Sequence, residues 1–169
     1  MVVPKVRVGP IGKYTSVQAL RSLMPNAVLR HEVDRNGAKT VVLYRKTNRD
    51  QKLPDLVIRW RRKHRVISQI TIFQFAGPWR TVEGIRMLTS LESVHQVNGA
   101  NIPLRRGNRL LHAKSFPGGK ISSHIEFGFR RRSAAPGDPG SLLPLGVHSG
   151  SPEVQGRGYR VIGIVVHFP

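Results

Sequence analysis

Three clusters of cationic side chains are the residues whose type and spacing point to a chemistry. The run Arg59-Trp60-Arg61-Arg62-Lys63-His64-Arg65 places five cations around one indole, Arg105, Arg106 and Arg109 form a second cluster, and Arg130-Arg131-Arg132 form a third. A guanidinium presents a planar fork of N–H donors that matches a phosphate bidentately and stacks on flat rings. The chemistry on offer is therefore phosphate contact, with an indole face for a base in the first run. The competing reading of that run is a solvated charged face with Trp60 in the core. The third cluster is the stronger evidence, because it follows a strand and stands at the base of a loop rich in glycine and proline. The candidate nucleic-acid contacts are Arg59, Trp60, Arg61, Arg62, Lys63, Arg65, Arg105, Arg106, Arg109, Lys114, Lys120, Arg130, Arg131 and Arg132.

Composition argues the same way. In 169 residues, 28 Lys and Arg stand against 9 Asp and Glu, a formal charge of +19. So dense a field calls for an acidic partner, and nucleic acid is the leading one. The cations are 20 arginines and 8 lysines, a bias toward the bidentate fork.

Other chemistries find little support. With no cysteine, disulfide scaffolds, zinc knuckles and thiol catalysis are excluded. Gly9-Pro10-Ile11-Gly12-Lys13-Tyr14-Thr15 resembles a phosphate loop, but too few residues separate its glycines and no Ser or Thr follows Lys13 directly. The histidines do not fall at metal-ligand spacing; His31, His112 and His124 are expected to cap or line strand edges. The acids are scattered singly, without a carboxylate pair for acid–base work or magnesium, and no glycine elbow frames a serine. The expectation is a protein that is not an enzyme and has no cofactor, metal or small-molecule substrate. No apolar run approaches the roughly 18 residues of a membrane span, so the chain is expected to be soluble and intracellular, with no membrane partner. Lys5, Arg7, Lys13, Arg21 and Arg30 precede the first acid, Glu32. That is the charge pattern of an organelle-import segment, although Pro4 and Pro10 would interrupt a long amphipathic helix.

The elements that must position these residues centre on two strands, over 120–129 and 159–168. In the first, Ile121, Ser123, Ile125, Phe127 and Phe129 share one face, while Ser122, His124, Glu126 and Gly128 share the other, the alternation of a half-buried strand. In the second, Val161, Ile162, Ile164, Val165 and Val166 make both faces mostly apolar, which suits the centre of a sheet. Between them, 130–158 is expected to be a loop that orders on a partner, with Leu142, Leu143 and Leu145 docking there. Upstream, 2–8 reads as an extended arm and 9–12 as a turn, and Thr15 or Ser16 caps a short helix through Leu23 that Pro25 ends. Residues 27–33 and 40–46 flank Asn36-Gly37 as a β-hairpin. Residues 55–67 carry Leu56, Val57, Trp60, His64 and Ile67 at helical spacing and read as a helix before a strand over 69–75, two consecutive strands being the alternative. Val82, Ile85, Leu88, Leu91 and Val94 predict a helix from Thr81 to His95. A short strand to Leu104, the basic turn and a strand to Lys114 complete the chain. The expected fold is α+β: a mostly antiparallel sheet with one covering helix (Thr81 to His95), basic extensions and a long loop. Residues 1–54 form an arm, short helix and hairpin, and 55–169 the RNA-binding domain.

Ser122-Ser123-His124-Ile125-Glu126-Phe127-Gly128-Phe129, and after the loop Tyr159-Arg160-Val161-Ile162-Gly163-Ile164-Val165-Val166-His167-Phe168, resemble the end of the third protein of the small ribosomal subunit. There a strand of the type Ala-Asp-Ile-Asp-Tyr precedes Tyr-Gly-Val-Ile-Gly-Val-Lys-Val-Trp. Asn98-Gly99-Ala100-Asn101-Ile102 resembles the Gly-Gly-Ala-Glu-Ile of that family, and the arginine turn with Leu111-His112 its Arg-Glu-Gly-Arg-Val-Pro-Leu-His. The similar pieces span 80–168 in the same order. The departures are the long loop, valine at 165 and 166 where the family has a lysine, and no Gly-x-x-Gly loop after 58–75. The resemblance implies a structural constituent of the small ribosomal subunit, binding ribosomal RNA in the head near the messenger entry beside neighbouring ribosomal proteins. The reduced form and the acid-free start place it in the mitochondrial matrix. The rival readings are a viral RNA-binding protein such as a silencing suppressor, expected to be a symmetric oligomer, and an RNA-modifying enzyme.

Overall fold

The computed structural model describes residues 1–3, 7–33, 39–45, 54–61, 66–73, 79–107, 110–131 and 147–169. In chain order the elements are β1 (Val2–Val3), β2 (Arg7–Val8), β3 (Ile11–Gly12), α1 (Val17–Leu23), β4 (Ala27–Val33), β5 (Lys39–Arg45), β6 (Leu56–Arg61), β7 (Val66–Ile72), α2 (Leu91–Asn98), β8 (Leu104–Gly107), β9 (Leu110–Ala113), β10 (Ile125–Arg131) and β11 (Tyr159–His167). The first three strands form a small sheet. The other eight form one sheet in the order β4-β5-β6-β7-β11-β10-β9-β8, with every pair antiparallel. The protein is mostly β, with two helices among the described residues, which corrects the expected α+β fold with one covering helix.

Strand alternation explains the sheet. Leu29, Leu43, Leu56, Ile72, Ile164, Phe127, Ala113 and Leu104 are successive cross-strand partners in one row across all eight strands. From Leu43 to Leu104 that row is buried. Because side chains alternate with a period of two, a one-residue slip would turn this apolar row to the other face, so the row fixes the register. β11 lies between β7 and β10, as its two apolar faces lead one to expect, and the antiparallel β10–β11 neighbours are the two strands legible at the outset. The hairpin of β4 and β5 forms as expected, its turn at 34–38 lying outside the described residues. Ser16 caps α1, its side chain accepting from the Ala19 N–H at 3.1 Å. The main sheet continues from β5 into β6, so it crosses from 1–54 into 55–169.

The predicted helix over 81–95 is replaced by turns followed by a shorter helix. Apolar residues three apart drift around a helix instead of holding one face, and Val82 and Leu88 are 52% and 45% exposed. Gly84 and Leu88 have φ of +84° and +67°, conformations that a right-handed helix does not contain. The chain serves here as a strand-like neighbour for β11, with Leu88 N donating to Val161 O (2.8 Å) and Val161 N to Thr89 O (2.9 Å). α2 begins only at Leu91, after the N-cap Ser90, and ends on Gly99 in the left-handed region.

The predicted helix over 55–67 is also corrected: 56–61 and 66–72 are consecutive strands, the alternative reading. Leu56, Ile58 and Trp60 are buried, with Val57 and Arg59 half-buried and Arg61 exposed between them, so the period is two. The arm is folded rather than extended. Val2, Val8 and Ile11 are fully buried, and Val2 N donates to Arg80 O at 2.6 Å. Gly9 makes the turn with φ +57°, and a Cβ there would meet the Trp79 ring at 2.8 Å, so a larger residue is excluded on two grounds. Residues 147–158 are corrected from partner-dependent loop to part of the domain, since Val147, Ser149, Ser151 and Val154 are buried. Leu142, Leu143 and Leu145 lie outside the described residues.

At the end of α2, Asn98 is 1% exposed. Its Oδ1 accepts from Ile121 N (3.2 Å), its Nδ2 donates to Ala100 O (3.0 Å), and its backbone carbonyl accepts from Lys120 N (2.9 Å). Asn98→Ala strips the side-chain bonds and leaves a buried N–H without its acceptor, so it is expected to cost about 2 kcal/mol. Urea unfolding of both proteins checks this, and an unchanged midpoint would show that Asn98 is not a structural tie.

Candidate nucleic-acid interface

The apolar row belongs to the core that also takes in Leu91 and Val94 of α2; the opposite, outer face carries several charged side chains. Register fixes its rows. Arg130 lies opposite Arg160, followed by the row Arg105, His112, Gly128 and Gly163. Next comes Glu126, Val165, Thr71, Val57, Val42 and Arg30. His167, Gln69, Arg59, Thr40 and Glu32 form the row after that, and Arg61 lies beyond, opposite Val66. Thr40, Val42 and Tyr44 are buried, so the open parts of this face lie over β9 to β11 and along β6.

Charge on this face is unbalanced. Arg130 and Arg160 are direct cross-strand partners, a like-charge arrangement that destabilises a sheet unless an anion joins it. Arg160 Nη1 donates to Leu88 O at 3.0 Å, which anchors that guanidinium beside the pair. The described acids of these rows are Glu126 and Glu32, and Glu126 is engaged. His167 Nε2 donates to its Oε1 at 2.8 Å, and Lys114 Nζ is 3.7 Å from its Oε2. Beside the arginine pair, Gly128 and Gly163 face each other without side chains, and a Cβ on Gly128 would meet nothing within 4 Å. A pair of guanidinium groups beside the room left at Gly128 can hold a phosphate with the attached sugar or base next to that glycine, while its partner Gly163 is itself buried.

The predicted contact residues divide between several places. Arg59, Arg61, Arg105, Lys114 and Arg130 belong to the outer face. Arg59 Nη1 donates to Gln69 Oε1 (3.3 Å) and Arg61 Nη2 to Phe168 O (3.4 Å). Arg106 is exposed at the β8 edge, opposite the buried Leu111 and so on the other face. Arg131 shares a register position with the buried Tyr159, and its Nε donates to Arg157 O at 3.2 Å. Lys120 is exposed after the Gly118-Gly119 turn, beside the end of α2. Trp60 is corrected: the residue is 8% exposed, in the core, and its Nε1 donates to Thr15 O at 3.1 Å, so it offers no face to a base. Arg62, Lys63, Arg65, Arg109 and Arg132 lie outside the described residues. Sequence reasoning missed Arg160, Arg30 and the Gly128–Gly163 pair. Gly128 and Gly163 could have been found by aligning the polar faces of the two strands, but their pairing could not.

A second polar cluster lies on the helix side. Ser149 Oγ accepts from Ile102 N (2.9 Å) and shares a hydrogen bond with His95 Nδ1 (2.7 Å), while Gln155 Nε2 donates to Ser149 O. Ser149 is fully buried, so this serine–histidine pair ties 147–158 to α2 and does not present a nucleophile. Among the described residues no group of three His, Asp or Glu side chains is placed to hold a metal ion, and no helix is long and apolar enough to cross a membrane. Comparison with known protein families, curated proteins and solved structures finds nothing that matches this chain.

Proposed function

We propose that the chain is an RNA-binding protein whose outer sheet face contacts the phosphate backbone, and that its setting is the small subunit of a mitochondrial ribosome. The observation that carries the binding is the Arg130–Arg160 pair beside Gly128, where a side chain would meet nothing within 4 Å. It acts by neutralising phosphates, without a cofactor or a chemical step, as a net charge of +19 favours. The ribosomal setting rests on the resemblance across 80–168 and on the adjacency of β10 and β11. Sedimentation of cell extract probed for this protein tests the setting: co-migration with the small subunit supports it, and a small particle or free chain overturns it. A viral RNA-binding protein is the second reading, favoured by β4 having no second neighbour among the described strands.

Gly128→Val separates binding from folding. Valine suits a strand and has room here, so stability is expected to stay within about 1 kcal/mol of wild type, while RNA affinity falls because the space beside the arginine pair is filled. Thermal unfolding beside fluorescence anisotropy with labelled RNA reads both; unchanged affinity would remove the space at Gly128 from the interface.

A further inference from the structure

The segment 80–90 carries a second like-charge pair. Arg80 and Arg86 are bridged across an antiparallel turn, closed by Thr81 N donating to Ile85 O (2.8 Å) and Gly84 N to Thr81 O (3.0 Å). Both arginines are exposed, whereas Thr81, Ile85 and Met87 beside them are buried. Among the described residues neither guanidinium has a hydrogen bond or an ion pair. The acid of the same turn, Glu83, forms no ion pair with them, and its Oε2 is buried without a hydrogen-bond partner. Like charges directly opposed destabilise such a pair, and a bound anion removes the conflict.

This pair adjoins the first. Arg160 Nη1 donates to Leu88 O at 3.0 Å, and Leu88 follows Arg86 by two residues, a reach of about 7 Å along the chain. Leu88 departs from the local rules. The turn from Arg86 to Thr89 is closed by Thr89 N donating to Arg86 O (3.2 Å) and Arg86 N to Thr89 Oγ1 (3.1 Å). Leu88 is its third residue, with φ +67°, a conformation that turns give to glycine or asparagine at that place. A leucine there is strained, and with 45% of its surface exposed its burial does little to offset the strain. Strain of this kind clusters at ligand-binding positions.

We infer that Arg80, Arg86 and Leu88 extend the proposed interface into a track for single-stranded RNA, an inference that rests on the Arg130–Arg160 pair being a phosphate contact. The Arg80–Arg86 pair takes a second phosphate, and Leu88, at the junction of the two pairs, packs against a base between them. A duplex keeps its bases stacked inside and offers Leu88 none without unstacking, whereas a single strand presents them without breaking pairs. Charge alone would favour the duplex, whose phosphates are denser, so a preference for the single strand is the signature of the track.

Fluorescence anisotropy of the full-length protein with a labelled RNA, alone and annealed to its complement, tests this across a salt series. Wild type is expected to bind the single strand more tightly. Arg80→Ala with Arg86→Ala should flatten its salt slope by about two. Leu88→Gly should weaken single-strand binding about fivefold or more, because a base no longer covers the leucine, with the salt slope unchanged. Glycine adopts φ +67° without strain, so this variant should unfold close to the wild-type temperature. A duplex bound as tightly as the single strand, an unchanged slope in the double variant, or an unchanged affinity in Leu88→Gly would each overturn the track. A flatter slope for Arg130→Ala with Arg160→Ala in the same series would then show that the outer face still binds RNA, and a wild type that binds neither RNA overturns both readings.

Discussion

Ile164→Asp is expected to yield no folded protein. Ile164 is fully buried at the middle of β11, with Phe127 on one side and Ile72 on the other, inside the row that sets the register of all eight strands. A carboxylate there would lie among fully buried apolar side chains, and a buried unpaired charge costs several kcal/mol. Loss of the isoleucine packing adds about 2–5 kcal/mol on the scale of large-to-small core changes. Together these are comparable to the roughly 5–15 kcal/mol that holds a domain of this size. Circular dichroism and urea unfolding of the purified variant report the result. A soluble variant with a cooperative transition would mean that β11 is not the centre of the core, and the β10–β11 pair would lose its place in the account.

The second large effect is on RNA affinity. If the outer face neutralises about six to ten phosphates, affinity should fall roughly a thousandfold or more between about 50 and 200 mM salt. The outer-face cations Arg30, Arg59, Arg61, Arg105, Lys114, Arg130 and Arg160 lie in that range, before any contribution from residues outside the described ones. The fall should be similar for small-subunit RNA and an unrelated RNA, since phosphate contacts carry no sequence information. Anisotropy titrations across a salt series measure it. A flat dependence would show that binding, if present, is not backbone neutralisation, and strong preference for one RNA would point to base contacts that this face does not display.

What was legible in the sequence was local. The Ser16 cap of α1, the β4–β5 hairpin and the alternation of β10 each depend on residues within a few positions of one another; the first two stand where expected, while the strand expected over 120–129 begins only at Ile125, after a turn, and runs to Arg131. The helix over 81–95 failed because a three-residue spacing of apolar side chains occurs there without a common face, while Gly84 and Leu88 take positive φ to let the chain run beside β11. The run at 56–61 misled for a related reason. Its apolar residues satisfy helical spacing as well as alternation, and the decision for a strand comes from β5 and β7 on either side, which no short window contains. The same limit applies to the candidate site. Arg130 was visible as part of a basic cluster, but its partner Arg160 is thirty positions away in sequence, and only the β10–β11 register with its shift at Gly128/Phe129 brings them together. Trp60 was misplaced as a stacking residue because burial of one face of β6 could not be told from a charged helix by composition alone. The resemblance to the third small-subunit ribosomal protein lies within 80–168 and does not extend to β4 to β7, which build half of the large sheet.

The central claim is that the outer sheet face, and the Arg130–Arg160 pair in particular, holds the RNA backbone. The direct measurement compares salt slopes of RNA binding for wild type, for Arg130→Ala with Arg160→Ala, and for Arg7→Ala with Arg21→Ala. The last pair removes equal charge from exposed positions on β2 and α1. Each lost phosphate contact should reduce the slope by about one. The account predicts a slope flatter by about two for the Arg130 and Arg160 variant, an unchanged slope for the Arg7 and Arg21 variant, and folded spectra for both. Equal reductions in the two variants would mean that the protein binds RNA through net charge without a dedicated face, and no reduction in the first would contradict the assignment of the interface.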